Sequence, residues 1–365
     1  MATAEVTFIA RQKDEFDVIL GNNSTGPTVS VLADAGSSGL ALYHEACIYH
    51  KPTRSVFVTS NQLPNPNDAL NAATANRHVN LWQIYDLDDP SDTSLGKARV
   101  EEVQFPGVEI AMLNGGVNFD ENSILLCAQG SKETKGVEGL IRLPIPTENN
   151  QNASPEVIID SFHGIPFNSV NDVIISPIDS SIWFTDPPYG FNQEFRQQPQ
   201  LPYQVYRFDP KTGSIRAIAD NFTRPNGLCF SPDLKTLYVT DTGALTGSAS
   251  FPLDLAGPSH IYAFDIVYPD GQREPILSNR RLFAYAPGRF PDGIKCDTRG
   301  NVYSGCRDGI EVWNPYGVLI GTIGIPGGCA NFCFGEKGAI YACNETRFLK
   351  IQLHGEEVKG ALLGI

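Results

Sequence analysis

The chain has 365 residues, with 41 acidic against 27 basic side chains and a formal charge of −14. That balance excludes the basic stripe that a nucleic-acid or anionic-membrane surface needs, and no stretch approaches the roughly 18 apolar residues that cross a bilayer. Apolar residues make up 41%, enough for a large core, and 34 Gly with 26 Pro point to many turns between short strands.

Met1-Ala-Thr-Ala-Glu-Val carries neither the basic segment nor the apolar stretch of a leader. A cytoplasmic protein, or a secreted one whose leader has been removed, is expected. Residues 1–35 hold two candidate strands, around Val6 to Ala10 and Asp17 to Leu20. No window shows a helical period, so the chain reads as all-β.

One hairpin design then recurs. A polar residue enters a short apolar strand, a turn follows, and a second strand rich in β-branched and aromatic residues reaches its middle about 11 or 12 positions later. Glu45 leads to Phe57, Asn114 to Leu125, Asn171 to Trp183, Asn226 to Tyr238 and Asp292 to Tyr303, and a sixth unit runs from Asn331 through Tyr341 to Ile351. Such an internal period redefines the fold. The expectation is a single domain over 1–365, a six-bladed β-propeller with four-stranded antiparallel blades around a central channel, a strand within 1–35 completing the last blade. A β-solenoid would need a shorter and stricter period, and two sandwiches would not repeat one hairpin six times.

In an antiparallel meander the start of the first strand, the end of the second and the loop that follows share one face. Glu45, Asn171, Asn226 and Asp292 start first strands; Asn61, Asp186 and Asp241 end second strands or lie just beyond. Three long connections, 61–78, 187–203 and 243–259, fall on the same face and bring Tyr189, Phe191, Phe195, Tyr203 and Phe251 with them. Loops of that length in a compact domain form lids or binding walls.

First strands line the channel, so Glu45, Asn171, Asn226 and Asp292 would converge near the axis. Two carboxylates and two amides are hard oxygen ligands, suited to one divalent cation, calcium above all, and not to zinc or copper. Taken singly, Asn226-Gly227 or Asp292-Gly293 reads as an ordinary turn; four at one register do not. The sixth unit offers Cys329 or Ala330 there, which leaves one side of the ion open. No Cys pair has metal or redox spacing, the six His form no pattern although His44 adjoins Glu45, and no Gly-x-Ser-x-Gly elbow supports a serine esterase.

Trp183-Phe-Thr-Asp-Pro-Pro-Tyr-Gly190, Asn226-Gly-Leu-Cys-Phe-Ser-Pro-Asp233, Pro291-Asp-Gly-Ile-Lys295 and Asn331-Phe-Cys-Phe-Gly335 resemble the gluconolactonase, senescence-marker-protein and luciferin-regenerating-enzyme family over roughly residues 40–353. The resemblance implies one divalent cation, usually calcium, in the channel and hydrolysis of a small-molecule lactone. It carries the metal ligands onto Glu45, Asn171, Asn226 and Asp292, although the usual Glu-Gly-Pro is here Glu45-Ala46-Cys47. Asn114-Gly115-Gly116 is similar to the fungal and bacterial branch. The arginine that animal members carry two residues before the Asn is replaced by Ser169.

A cation on the ester carbonyl would polarise it, and a carboxylate would take the proton of the attacking water. Asp292 is the expected base, with Asp241, Asp186 and Asp172 as second choices. Asn114, Asp172, Asp186 and Tyr189 are the expected substrate contacts. Competing readings are a phosphotriesterase-like hydrolase using the same ion and a non-enzymatic binding module with structural calcium.

Overall fold

The computed structural model describes residues 5–21, 26–64, 77–87, 98–105, 107–132, 136–145, 154–248, 253–269, 274–355 and 358–361. Six antiparallel sheets follow one another along the chain as the blades of a propeller. Blade one comprises Glu45–His50, Ser55–Thr59, Leu81–Ile84 and Val100–Glu102; blade two Leu113–Asp120, Ser123–Ala128, Gly139–Pro144 and Glu156–Ile159. Blade three comprises Val173–Ile175, Ile182–Asp186, Gln204–Asp209 and Ser214–Ala219; blade four Pro225–Phe230, Thr236–Asp241, His260–Val267 and Ile276–Tyr285.

The N-terminal segment closes the ring by serving two blades. Thr28–Asp34 is the outer strand of blade six, beside Arg347–Gln352, Ala339–Asn344 and Phe332–Phe334. Thr7–Ala10 adds a fifth strand to blade five, outside Leu319–Gly324, Gly309–Trp313, Val302–Cys306 and Ile294–Cys296. Strands distant in sequence thus cover the edges that those sheets would otherwise leave bare.

Residues 17–20 are helical, not extended as the sequence suggested. Lys13–Leu20 forms an α-helix that buries Phe16 and Ile19, three positions apart, in the core shared by blades five and six. Asp14 and Glu15 in its first turn suit the helix dipole. Eight residues are too few for an 11-residue window to register a period.

The core lies between blades. Tyr303, Ile310 and Ile323 of blade five interdigitate with Phe332, Ile340 and Leu349 of blade six, and Trp183 of blade three stacks edge-on against Phe230 of blade four at 5.2 Å. Second strands are buried throughout their central residues because each is flanked by strands on both edges and by sheets on both faces.

First strands differ. In blades one, two and four the pairing slips at the strand start, between Glu45 and Ile48, Leu113 and Gly116, and Pro225 and Leu228. In blades two and four the bulge releases a polar residue, Asn114 or Asn226, from the ladder; in blade one it releases Ala46 and Cys47, while Glu45 stays paired with Thr59. In blade one Ala46 and Cys47 both take positive φ, 60° and 54°, a strained path for side-chain-bearing residues.

Candidate active site

Glu45, Asn114, Asn171, Asn226 and Asp292, from five blades, line one cavity of about 430 Å³ at the channel mouth. Their convergence depends on tight contacts between neighbouring first strands. A Cβ on Gly227 would lie 2.3 Å from the Asp292 carbonyl oxygen, and one on Gly293 would lie 2.4 Å from the Asn331 side chain. Neither glycine has a positive φ. Asn-Gly and Asp-Gly here serve close approach between blades and not a turn.

Threonines at second-strand ends fix the next blade. Thr59 Oγ1 donates to the Asn114 carbonyl (3.1 Å), Thr185 Oγ1 to that of Asn226 (2.7 Å) and Thr240 Oγ1 to that of Asp292 (3.0 Å). All three threonines are fully buried. The sequence reading missed them, although Phe57-Val-Thr-Ser60, Trp183-Phe-Thr-Asp186 and Tyr238-Val-Thr-Asp241 carried the signal.

Asp186, expected as a substrate contact, and Asp241, expected as the second candidate base, are used differently. Asp186 accepts from the backbone N–H groups of Asn168 (2.9 Å) and Ser169 (2.8 Å), and Asp241 from those of Thr223 (2.9 Å) and Arg224 (2.8 Å). Each carboxylate therefore clamps the loop two or three residues before an axial Asn, and neither lines the cavity. Asp172 accepts from Val173 N–H (2.9 Å) and Leu228 N–H (3.3 Å), tying blade three to blade four, and it too stays outside the cavity wall. These three departures share a cause: buried backbone donors at a strand end need acceptors, and the carboxylates supply them.

Tyr189, on the helical turn Tyr189–Asn192, does line the cavity. Its hydroxyl bonds Thr242 Oγ1, and Asn226 Nδ2 donates to both, at 3.3 and 3.4 Å. The Asn226 side chain also hydrogen-bonds Asp292, which opposes the rise of that carboxyl. Ser169 supports the same loop, donating to the Pro187 carbonyl (2.7 Å) and accepting from Gly190 N–H (3.0 Å). Phe191, Phe195 and Tyr203 are not cavity walls, and Phe251 lies outside the described residues. Gln62, Arg77, Gln129 and Gln193 line the cavity without having been singled out from sequence.

The electrostatics are those of crowded acceptors. Burial, then Glu45, pushes Asp292 well above the ordinary carboxylate range, with His44 opposing. Burial also raises Glu45, against His44 and a hydrogen bond from Asn331 Nδ2 at 2.8 Å. For His44, burial favours the neutral ring but Glu345, 2.7 Å away, outweighs it, and Glu45 and Asp292 add to lift it to about 10.

Four buried oxygens at the cavity have no hydrogen-bond partner in the protein: Asn114 Oδ1, Gln129 Oε1, Asn171 Oδ1 and Asp292 Oδ1. All are lone-pair donors, and an unpartnered buried acceptor is costly. Among the described residues no group of three or more His, Cys, Asp and Glu is arranged to hold a metal. The axial set has two carboxylates and fills out with amide oxygens, which suits a hard cation such as calcium.

Residues 137–341 match the family model described as SMP-30/Gluconolactonase/LRE-like region. The chain is 36% identical over 172 residues to the lactonohydrolase oryL of Aspergillus oryzae, an alignment covering 43% of this chain and 37% of that protein. It is 34% identical over 188 residues to a gluconolactonase of Zymomonas mobilis, covering 50% of this chain and 49% of that protein. The chain thus spans less than half the length of either relative. Among solved structures, a gluconolactonase from Xanthomonas campestris superposes with a TM-score of 0.66 at 23% identity, over 97% of this chain and 99% of that one.

Proposed function

The chain belongs to the SMP-30/gluconolactonase/LRE-like family, and from that membership together with its axial oxygen ring we propose that it hydrolyses lactones with the help of one divalent cation. What carries the reading is the pair of orphaned buried oxygens, Asn171 Oδ1 and Asp292 Oδ1, at the floor of the cavity. Glu45, Asn171, Asn226 and Asp292 would hold the ion, calcium by the hardness of its donors, and its charge would polarise the ester carbonyl and the oxyanion that follows.

The protein's own groups divide the remaining work. Asp292 accepts the proton of the attacking water; the charge of a bound cation would oppose the burial and the repulsion from Glu45 that raise its carboxyl. Asn114 Oδ1 and Gln129 Oε1 accept hydroxyl donors of the substrate, which would relieve their own lack of partners. Tyr189, locked by Thr242 and Asn226, forms a fixed wall against which the ring is oriented. Asp172, Asp186 and Asp241 keep the strand starts in place.

The test is a pH-stat assay of the calcium-supplied protein on D-glucono-δ-lactone, δ-valerolactone, δ-decalactone and dihydrocoumarin, with a phosphotriester as the comparison. Lactone opening well above the buffer rate, with the phosphotriester left intact, is expected. A folded, calcium-supplied protein that opens none of these lactones contradicts the proposal.

A further inference from the structure

His44, Leu245 and Asp292 line a second cavity, of about 250 Å³, in addition to the first. It lies on the blade-five and blade-six side of Asp292, where the axial ring has no oxygen ligand. Its other walls include Leu253, Phe290, Cys306, Cys329 and Ala330. The Cys329 thiol donates to the Asn331 carbonyl at 3.2 Å, and His44 and Glu345, at its inner side, spend their charges on each other at 2.7 Å. Exposed Arg307 is the remaining charged residue of the lining; the other walls are mainly apolar, unlike the amide-rich first cavity.

Phe290 is held in place at a cost. Its φ of +56° is unusual for an aromatic residue and is further disfavoured by the proline that follows. Its N–H is anchored on Ser259 Oγ at 3.1 Å. Strain of this kind persists where the surroundings enforce it, and it marks places where a side chain is aimed. Here the strained residue is two positions before Asp292 and walls the second cavity.

We propose that this cavity receives an apolar arm borne by the lactone ring, an alkyl or aryl substituent of about five to eight carbons. The size follows from volume, since an apolar cavity of about 150 Å³ takes a benzene. The inference rests on the lactonase reading and narrows its substrate class to ring-substituted, apolar-armed lactones. The ring lies in the first cavity over Asp292 and the arm turns past Leu245 into the second.

Two pairs of probes test it. In turnover, δ-decalactone, with a pentyl arm, is expected to exceed δ-valerolactone by about tenfold or more in kcat/KM. In calorimetry, 2-pentylcyclopentanone, which cannot be hydrolysed, is expected to bind about tenfold tighter than cyclopentanone. Ala330→Leu, which fills the cavity, and Leu253→Asp, at a 44% exposed wall position that tolerates charge, should each abolish both preferences. Equal or reversed preference in the native protein, or preferences that survive both substitutions, overturns the proposal. If none of the four lactones of the panel is opened the lactonase reading fails, and the ketone pair still decides whether the cavity takes an apolar arm.

Discussion

Thr240 Oγ1 lies 3.0 Å from the backbone carbonyl oxygen of Asp292, so a side chain in blade four positions the carboxylate of blade five. Thr59 and Thr185 repeat the contact toward Asn114 and Asn226. The ring is a set of mutually braced strand starts.

Thr240→Val keeps the shape and removes the donor. Leaving that buried carbonyl short of a partner should cost about 1–3 kcal/mol in urea unfolding and lower kcat/KM for lactone about tenfold by displacing Asp292. Thr240→Ser should restore most of both. If valine matches the native protein in both measurements, the bracing role is wrong.

Asp292→Asn should abolish lactone turnover by roughly 10²–10⁴ in kcat, the range for loss of a positioned base. In ion-free buffer the same variant should melt no lower than the native protein, because it removes a carboxylate that burial and Glu45 destabilise. Full activity in this variant would reassign the base.

Asp241→Asn and Asp186→Asn separate clamp from catalyst. Asp186 holds two backbone N–H groups and Asp241 three, Gly243 N–H included, so stability should fall by about 1–3 kcal/mol, while the folded fraction keeps turnover within roughly tenfold. A loss as deep as that of Asp292→Asn, with unchanged stability, would return Asp241 to the reaction.

The propeller was legible because its signal is repetition: Glu45, Asn114, Asn171, Asn226 and Asp292 each precede the middle of a second strand by nearly the same interval. The shared register brings Glu45, Asn114, Asn171, Asn226 and Asp292 to one cavity, and in blades two and four a bulge at the strand start takes the Asn out of the ladder. Asp172, Asp186 and Asp241 could not be sorted in the same way. A carboxylate beside the axis looks alike in sequence whether it faces the cavity or backbone amides, and only the loop path decides. The helix at Lys13–Leu20 escaped because its eight residues, with only Phe16 and Ile19 buried, are too few to show a helical period.

Away from the axis, Glu311 sets a pH dependence. It is fully buried, burial lifts it to about 7 against the opposing Arg289, and Arg289 Nη1 lies 2.5 Å from its Oε1. A carboxyl raised in the folded state contributes its full stability below the unfolded value of 4.5 and loses it as pH rises through about 7. Asp186, raised by burial to about 7, acts in the same direction. Unfolding stability should therefore fall from about pH 5 to 7, by an amount reaching about 3 kcal/mol for Glu311 alone, and the melting temperature with it; Glu311→Gln should flatten that slope. An unchanged slope in the variant would show that Glu311 is already ionised at pH 5.

Calcium titration of chelator-stripped protein, with lactone opening and calorimetric heat followed in the same samples, tests the axial site most directly. One calcium per chain should bind, turnover should rise in proportion to occupancy, and Asn171→Ala together with Asn226→Ala should abolish both signals. Full turnover in the stripped protein, or calcium binding that is indifferent to both asparagines, would contradict the account.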